Sequence, residues 1–412
     1  MNIRYFLALS ILGICSCKSK PQIVEVRILH ANKELAVSSA QIPYVQEYEK
    51  FALETIKETH QPGAAIAIVK GSEVLYLKGM GVKSVGTTDS VDIHTVFRIA
   101  SVSKGFAAIL TGILVQEKKI EWDDKVIKYL PAFALKDTFS THHITIRHIL
   151  SHTSGLPIHT FTNLIESRVP YETLRDNLRY VSPVAPLGKE YGYQNVVYSL
   201  IGDIIKKVTG KPYNEVLKEK VFTPLQMTDA SASFESLDEG SNVALPHLKR
   251  SDSTFYAFRN TPEYYSVLPA AGVNASISDM AKWLMALLGN NPEVITKETL
   301  KELFKREVQV PRRRKYHFFR WRSIRETYYA MGWRVLNYGG ETVIYHGGFV
   351  NGYRSEIGFC PSQKIGIVVL CNASGKLVNE SIPTFFDDYF NHQHNLEIKK
   401  AVITPPFLFT MY

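Results

Sequence analysis

Runs with the composition of β-strands lie towards both ends of this chain, and a long helix-rich stretch separates them. Ala64–Val69 and Val74–Met80 read as one hairpin turning through Gly71-Ser72. Strand patterns return near Met331–Leu336, Thr342–Tyr345, Tyr353–Phe359 and Ile365–Leu370. Tyr44–His60 carries Val45, Tyr48, Phe51, Ala52 and Ile56 at helical spacing and stops at Pro62-Gly63, and a last helix covers about Ile382–Phe390. This order restricts the fold to one mainly antiparallel sheet closed by both termini, with flanking helices and a mostly helical second lobe. The expected class is α/β of the α+β type. The sheet lobe takes residues 43–100 and 291–393, and the helical lobe residues 101–290.

Composition removes other classes. A chain of 412 residues with 45% apolar and 21% charged residues is not disordered. It contains no run of 18 apolar residues, so no spanning helix is expected. Four cysteines cannot build a disulfide scaffold. The net charge of +9 is local: ten Lys/Arg against Glu302 and Glu307 between Lys301 and Arg325 account for +8 of it. That points to a basic loop or hairpin and not to a nucleic-acid partner. Within it, Arg312-Arg313-Arg314-Lys315 and Arg320-Trp321-Arg322 interleave charge with aromatics. Three uses are open: binding anionic lipid head groups, steering acidic substrates, or simple packing of the aromatics on the body.

Residues 1–17 read as an export signal, with Arg4 before a short apolar run from Tyr5 to Cys15. Ile14-Cys15-Ser16-Cys17 resembles a bacterial lipobox, whose cleavage leaves a lipidated Cys17; Cys15 stands where that pattern has a small residue. Ordinary signal cleavage is the alternative. Either way the expectation is an exported chain, and lipidation would anchor it to a membrane of the cell envelope. Residues 18–42 read as a tether, and 394–412 as an apolar tail with Phe407, Leu408 and Phe409. Cys360 and Cys371 flank a hairpin turning at Pro361–Lys364. In that register they are roughly 20 Å apart, beyond the ~7 Å Cα limit of a disulfide, so two unpaired buried thiols are expected.

The chemistry begins at Phe97-Arg98-Ile99-Ala100-Ser101-Val102-Ser103-Lys104. Ser-x-x-Lys at a helix start puts hydroxyl and ammonium on one face. The helix N-terminus adds partial positive charge where an attacked carbonyl becomes negative. A nearby lysine can take the serine proton once its pKa is lowered. Tyr193-Gln194-Asn195 precedes the apolar helix Val196–Ile205, and Tyr345-His346-Gly347-Gly348-Phe349 closes a strand whose glycines allow a substrate to approach its backbone.

In this order, Ser-x-x-Lys, Tyr-x-Asn and His-x-Gly, the sequence resembles the penicillin-recognising serine hydrolases: the class C β-lactamase, DD-peptidase and family VIII esterase group. Leu150–Pro157, Pro269–Met280 and Met331-Gly332-Trp333 extend the resemblance, which spans residues 43–393. It implies a β-lactamase/transpeptidase-like fold. It makes Ser101 the acylated nucleophile, Lys104 its proton-handling partner, and Tyr193 the base and later acid. Asn195 would bind the substrate amide, and His346 and Gly348 would line the substrate strand. The N–H groups of Ser101 and Phe349 would form the oxyanion hole. No metal or organic cofactor is implied.

His346 stands where lactamases of this group usually have Lys, and a histidine with an ordinary pKa near ~6.5 is mostly neutral at pH 7. His at this place resembles the DD-peptidase members and favours a peptidoglycan-type DD-peptidase or a broad amide/ester hydrolase over an efficient lactamase, with β-lactams and short-chain esters as competing substrates and a catalytically silent binding module as the rival. His148 and His152 have zinc-like spacing but no Glu between them, so packing or loop hydrogen bonding is expected. Asp123 and Asp124 read as a solvated turn, and Gly79-Met80-Gly81 lacks the rest of a dinucleotide fingerprint.

Overall fold

The computed structural model describes residues 42–311 and 321–403. The signal segment with Cys17, nearly all of the tether, Arg312–Arg320 of the basic segment and residues 404–412 of the tail lie outside the described residues.

α1 (Pro43–Thr59) leads into a hairpin of β1 (Gly63–Lys70) and β2 (Glu73–Gly81). β3 (Phe97–Arg98) precedes a 3-10 turn, Ala100–Val102, and α2 (Ser103–Gln116). After the helical stretch come the short pair β4 (His247–Lys249) and β5 (Phe255–Ala257), then β6 (Asn274–Ala275), which pairs with β3. The chain then lays down β7 (Val308–Gln309), β8 (Ile324–Tyr329), β9 (Arg334–Tyr338), β10 (Glu341–Val350), β11 (Tyr353–Cys360) and β12 (Ile365–Cys371). One antiparallel sheet results, ordered β2-β1-β12-β11-β10-β9-β8-β7. β1 and β12, from opposite ends of the chain, are neighbours, as the sequence order requires.

The central strands are apolar on both sides because both faces are covered. Ile365, Ile367 and Val369 face one cluster with Tyr48 of α1 and Phe385 of the last helix. Val368 and Leu370 face the other, which contains the helical stretch. Alternation along a single strand therefore serves two cores.

The β11–β12 turn falls where turn chemistry places it, with Cys360 opposite Ile365. Cys360 and Cys371 are unpaired and buried. Three expectations change. β10 does not end at Tyr345 but runs through His346-Gly347-Gly348 to Val350. The last helix is Lys376–Ile403, so the segment from 394 to 403 continues it instead of starting a tail. β7 and β8 were not foreseen: Ile324–Tyr329 carries Arg325, Glu326 and Thr327, a mixture without the apolar signature of the inner strands.

Candidate active site

Ser101 sits in a strained turn. Ala100, a non-glycine residue, has φ +48°, a conformation that persists only when the surroundings enforce it. They do so here. Ile99 N–H donates to Val273 O (3.1 Å), Ser355 Oγ donates to Ile99 O (2.6 Å), and Val273 N–H donates to Ser103 Oγ (3.0 Å). Strand β11 and the approach to β6 thus hold the turn from two sides.

Lys104 follows on the first turn of α2 and is fully buried. Its Nζ donates to Asn195 Oδ1 (2.8 Å) and Ala270 O (3.0 Å), and lies 4.5 Å from the Tyr193 ring centre. Burial, and then the positive field of Arg334, holds its pKa well below that of an ordinary lysine. Tyr193 ends a loop whose backbone is fixed at Gly192, Tyr193 and Gln194, and Asn195 opens the helix Asn195–Thr209.

β10 supplies the opposite wall. Its pairing with β9 stops at Tyr345 opposite Arg334; from His346 to Val350 it pairs with β11 alone among the described residues. Gly348 presses on the Ser101 turn. A Cβ there would come within 2.3 Å of both Ile99 O and Ser355 Oγ. At Gly347 a Cβ would meet Tyr345 Oη at 2.5 Å and Glu356 Oε2 at 2.8 Å. The middle residue of His-Gly-Gly is therefore glycine because a buried polar pair already fills that space.

Between these walls lies a cavity of about 570 Å³. Ser101, Tyr193, Asn195, His346, Gly348 and Phe349 all line it, with Lys104 immediately behind. His346 is buried, its Nδ1 2.9 Å from Gly347 O and its Nε2 3.1 Å from Tyr329 Oη. With the proton on Nδ1 facing the carbonyl, Nε2 accepts from the tyrosine.

Sequence reasoning missed three charged lining residues. Arg334 opens β9 directly after Met331-Gly332-Trp333, and its guanidinium lies 5.7 Å from the Tyr191 ring and 5.6 Å from that of Tyr329. Arg354 Nη2 pairs with Glu356 Oε1 at 2.7 Å, and Tyr345 Oη donates to the other Glu356 oxygen. Burial raises the Glu356 pKa, against the pull of Arg354. The signal for Arg334 was a lone charge heading a mainly apolar strand. His148 is used locally: it closes a capping box with Thr145. Asp123 pairs with Arg147, and Asp124 binds Lys128 and Tyr129.

A Beta-lactamase family model matches residues 45–384. The chain is 28% identical over 344 residues to "Unguisins hydrolase ungD'" of Aspergillus campestris (strain IBT 28561), covering 81% of this chain but only 62% of that protein. It is 26% identical over 358 residues to "Protein flp" of Staphylococcus aureus (strain N315), covering 84% and 67%. The octameric penicillin-binding protein homologue from Pyrococcus abyssi superposes with a TM-score of 0.74 at 26% identity, over 84% of this chain and 77% of that one. The fold is accordingly the β-lactamase/transpeptidase-like one that the motifs imply, and the chain belongs to the β-lactamase family of serine hydrolases.

Proposed function

We propose that this chain is a serine hydrolase working through an acyl-enzyme at Ser101, with D-Ala-D-Ala-type cell-wall peptides as its substrate. Arg334 carries the choice of substrate. It is a permanent cation in the wall of the cavity that Ser101 lines, and a terminal carboxylate is the group such a planar fork recognises. With both nitrogens of His346 already engaged, Arg334 takes the charge-binding role and His346 keeps β10 in register. The likeness to one protein named a hydrolase and to a penicillin-binding protein homologue supports the reading.

The chemical steps follow from the groups present. A neutral Lys104 amine has two N–H bonds and one lone pair. Asn195 Oδ1 and Ala270 O take the N–H bonds, which leaves the lone pair for a proton. Ser101 Oγ attacks the substrate carbonyl while its proton passes to the Tyr193–Lys104 pair. The carbonyl electrons move to oxygen, which receives the N–H groups of Ser101 and Phe349. Collapse breaks the C–N bond, and the pair returns the proton to the leaving amine. Water then attacks the ester with the same groups as base and acid, freeing Ser101.

The same reading makes the chain an exported protein of the bacterial cell envelope, anchored by lipid on Cys17. Loss of palmitate labelling in Cys17→Ser tests that part. For the reaction, an Nα-acylated peptide ending in D-Ala-D-Ala is incubated with the protein and D-alanine release is followed. Release is expected from the wild type, not from Ser101→Ala, and not from a peptide capped as its C-terminal amide. Rapid benzylpenicillin loss without peptide cleavage would make the chain a β-lactamase. Cleavage of p-nitrophenyl esters alone would make it an esterase, and no turnover by the folded protein a binding module.

A further inference from the structure

Tyr193 is gripped from both sides by one residue that does not line the cavity. His152 follows the helix Ile146–Leu150, is buried, and has φ +58°. Its carbonyl oxygen accepts from Gly192 N–H at 2.8 Å, and its Nδ1 accepts from Gln194 N–H at 3.2 Å. These N–H groups belong to the residues immediately before and after Tyr193. The His152 ring centre lies 4.4 Å from that of Tyr193, 4.8 Å from Tyr329 and 5.1 Å from Tyr198. Because Nδ1 accepts, the ring proton is on Nε2, a buried atom without a hydrogen-bond partner among the described residues. Burial, and then any positive charge carried by Lys104, His346, Arg334 and His159 around it, holds the His152 pKa well below the ordinary histidine value. The ring is thus a neutral acceptor, and it is not among the residues lining the cavity.

We propose that His152 is a positioning residue for Tyr193: its carbonyl and its Nδ1 hold the N–H groups of the two neighbouring residues, Gly192 and Gln194, and so set the tyrosine beside Lys104. This rests on the reading of Tyr193 as the group that moves the Ser101 proton. Displacement of a catalytic group by about 1 Å costs roughly a hundredfold in rate. A side chain that fills the same space without an acceptor should therefore lower kcat and leave KM nearly unchanged.

The test uses two variants of the full chain with p-nitrophenyl acetate as reporter. His152→Phe keeps a ring and removes the acceptor. His152→Asn puts Oδ1 where Nδ1 was, on a residue type that tolerates positive φ. The expected result is a fall in kcat of about a hundredfold for His152→Phe, with KM within about threefold, and kcat within about tenfold of wild type for His152→Asn. A folded Phe variant with wild-type kcat would overturn the proposal, as would equal losses in both. If the Phe variant does not fold, the Asn variant decides alone: a loss beyond tenfold overturns the assignment and a smaller one supports it. Ser101→Ala is run alongside. If wild type has no Ser101-dependent turnover, the hydrolase reading fails and takes this inference with it; Ser101-dependent turnover indifferent to His152 overturns the inference alone.

Discussion

Lys104 Nζ lies 2.8 Å from Asn195 Oδ1, so the lysine of Ser-x-x-Lys and the asparagine of Tyr-x-Asn, 91 positions apart in the chain, form one buried unit. The contact joins α2 to the start of the Asn195–Thr209 helix behind the nucleophile. It also spends one of the two N–H bonds that a neutral amine possesses.

Replacing Lys104 by Arg keeps length and positive charge but removes the ability to lose a proton. Ester turnover is expected to fall by at least about a thousandfold in Lys104→Arg and Lys104→Met alike, since both lack the proton acceptor. Wild-type activity should rise with pH through a titration well below the ordinary lysine range, because the depressed pKa makes the base form available there. Rates measured from pH 5 to 10 check this, and an activity that climbs only near pH 10 would speak against it.

Gly348 should admit no side chain. In Gly348→Ala the new methyl group meets Ile99 O and Ser355 Oγ, so β10 and the Ser101 turn must separate. A stability loss of about 1–3 kcal/mol is expected from such overpacking, with nearly complete loss of acylation. Thermal melting together with labelling by a fluorophosphonate separates the two effects.

Arg334→Gln should act on substrate choice. KM for a peptide with a free C-terminal carboxylate should rise by at least about tenfold, the scale of losing one charge-assisted hydrogen bond. An amide-capped ester substrate should be nearly unaffected. Equal losses on both substrates would assign Arg334 to structure instead.

Asp279 gives a pH signature at a residue that does not line the cavity. Burial, and then the Asp229 carboxylate, pushes its pKa from 3.8 to about 7. Lys282 stands 3.9 Å away, and His94 pairs with Asp229 at 2.8 Å. Between those two values the folded protein keeps a proton that the unfolded chain releases. This group's contribution is therefore complete below the unfolded value and is lost as pH rises through about 7, by up to ~1.4 kcal/mol per pH unit. Asp279→Asn should flatten that decline. Melting temperatures at pH 5 and pH 8 for both proteins provide the comparison, and an unchanged slope in the variant would refute the assignment.

Two hairpins of the sheet, β1–β2 and β11–β12, were legible because each step was local. Gly71-Ser72 and Pro361–Lys364 are turn-forming sequences, and the turn at Pro361–Lys364 sets Cys360 opposite Ile365. The meeting of Ser101, Tyr193, Asn195 and Phe349 in one cavity was not local, and only the resemblance of their motifs anticipated it. Arg334 escaped notice because a charge at the head of a mainly apolar strand looks like a strand end until the cavity is seen. Glu356 escaped for a related reason: nothing in Tyr353–Cys360 says that Gly347 leaves room for its pairing with Tyr345. The length of the last helix was missed because its polar second half lacks an apolar stripe.

The central claim is that Ser101 is the acylated residue. Intact mass spectrometry of the protein after exposure to a fluorophosphonate, and separately to benzylpenicillin, tests it most directly, with Ser101→Ala treated in parallel. One fluorophosphonate adduct per wild-type chain and none on the variant is the expected result, with a penicilloyl adduct that persists in the wild type if deacylation is slow. An unmodified folded wild type, or an adduct of equal yield on Ser101→Ala, would contradict it.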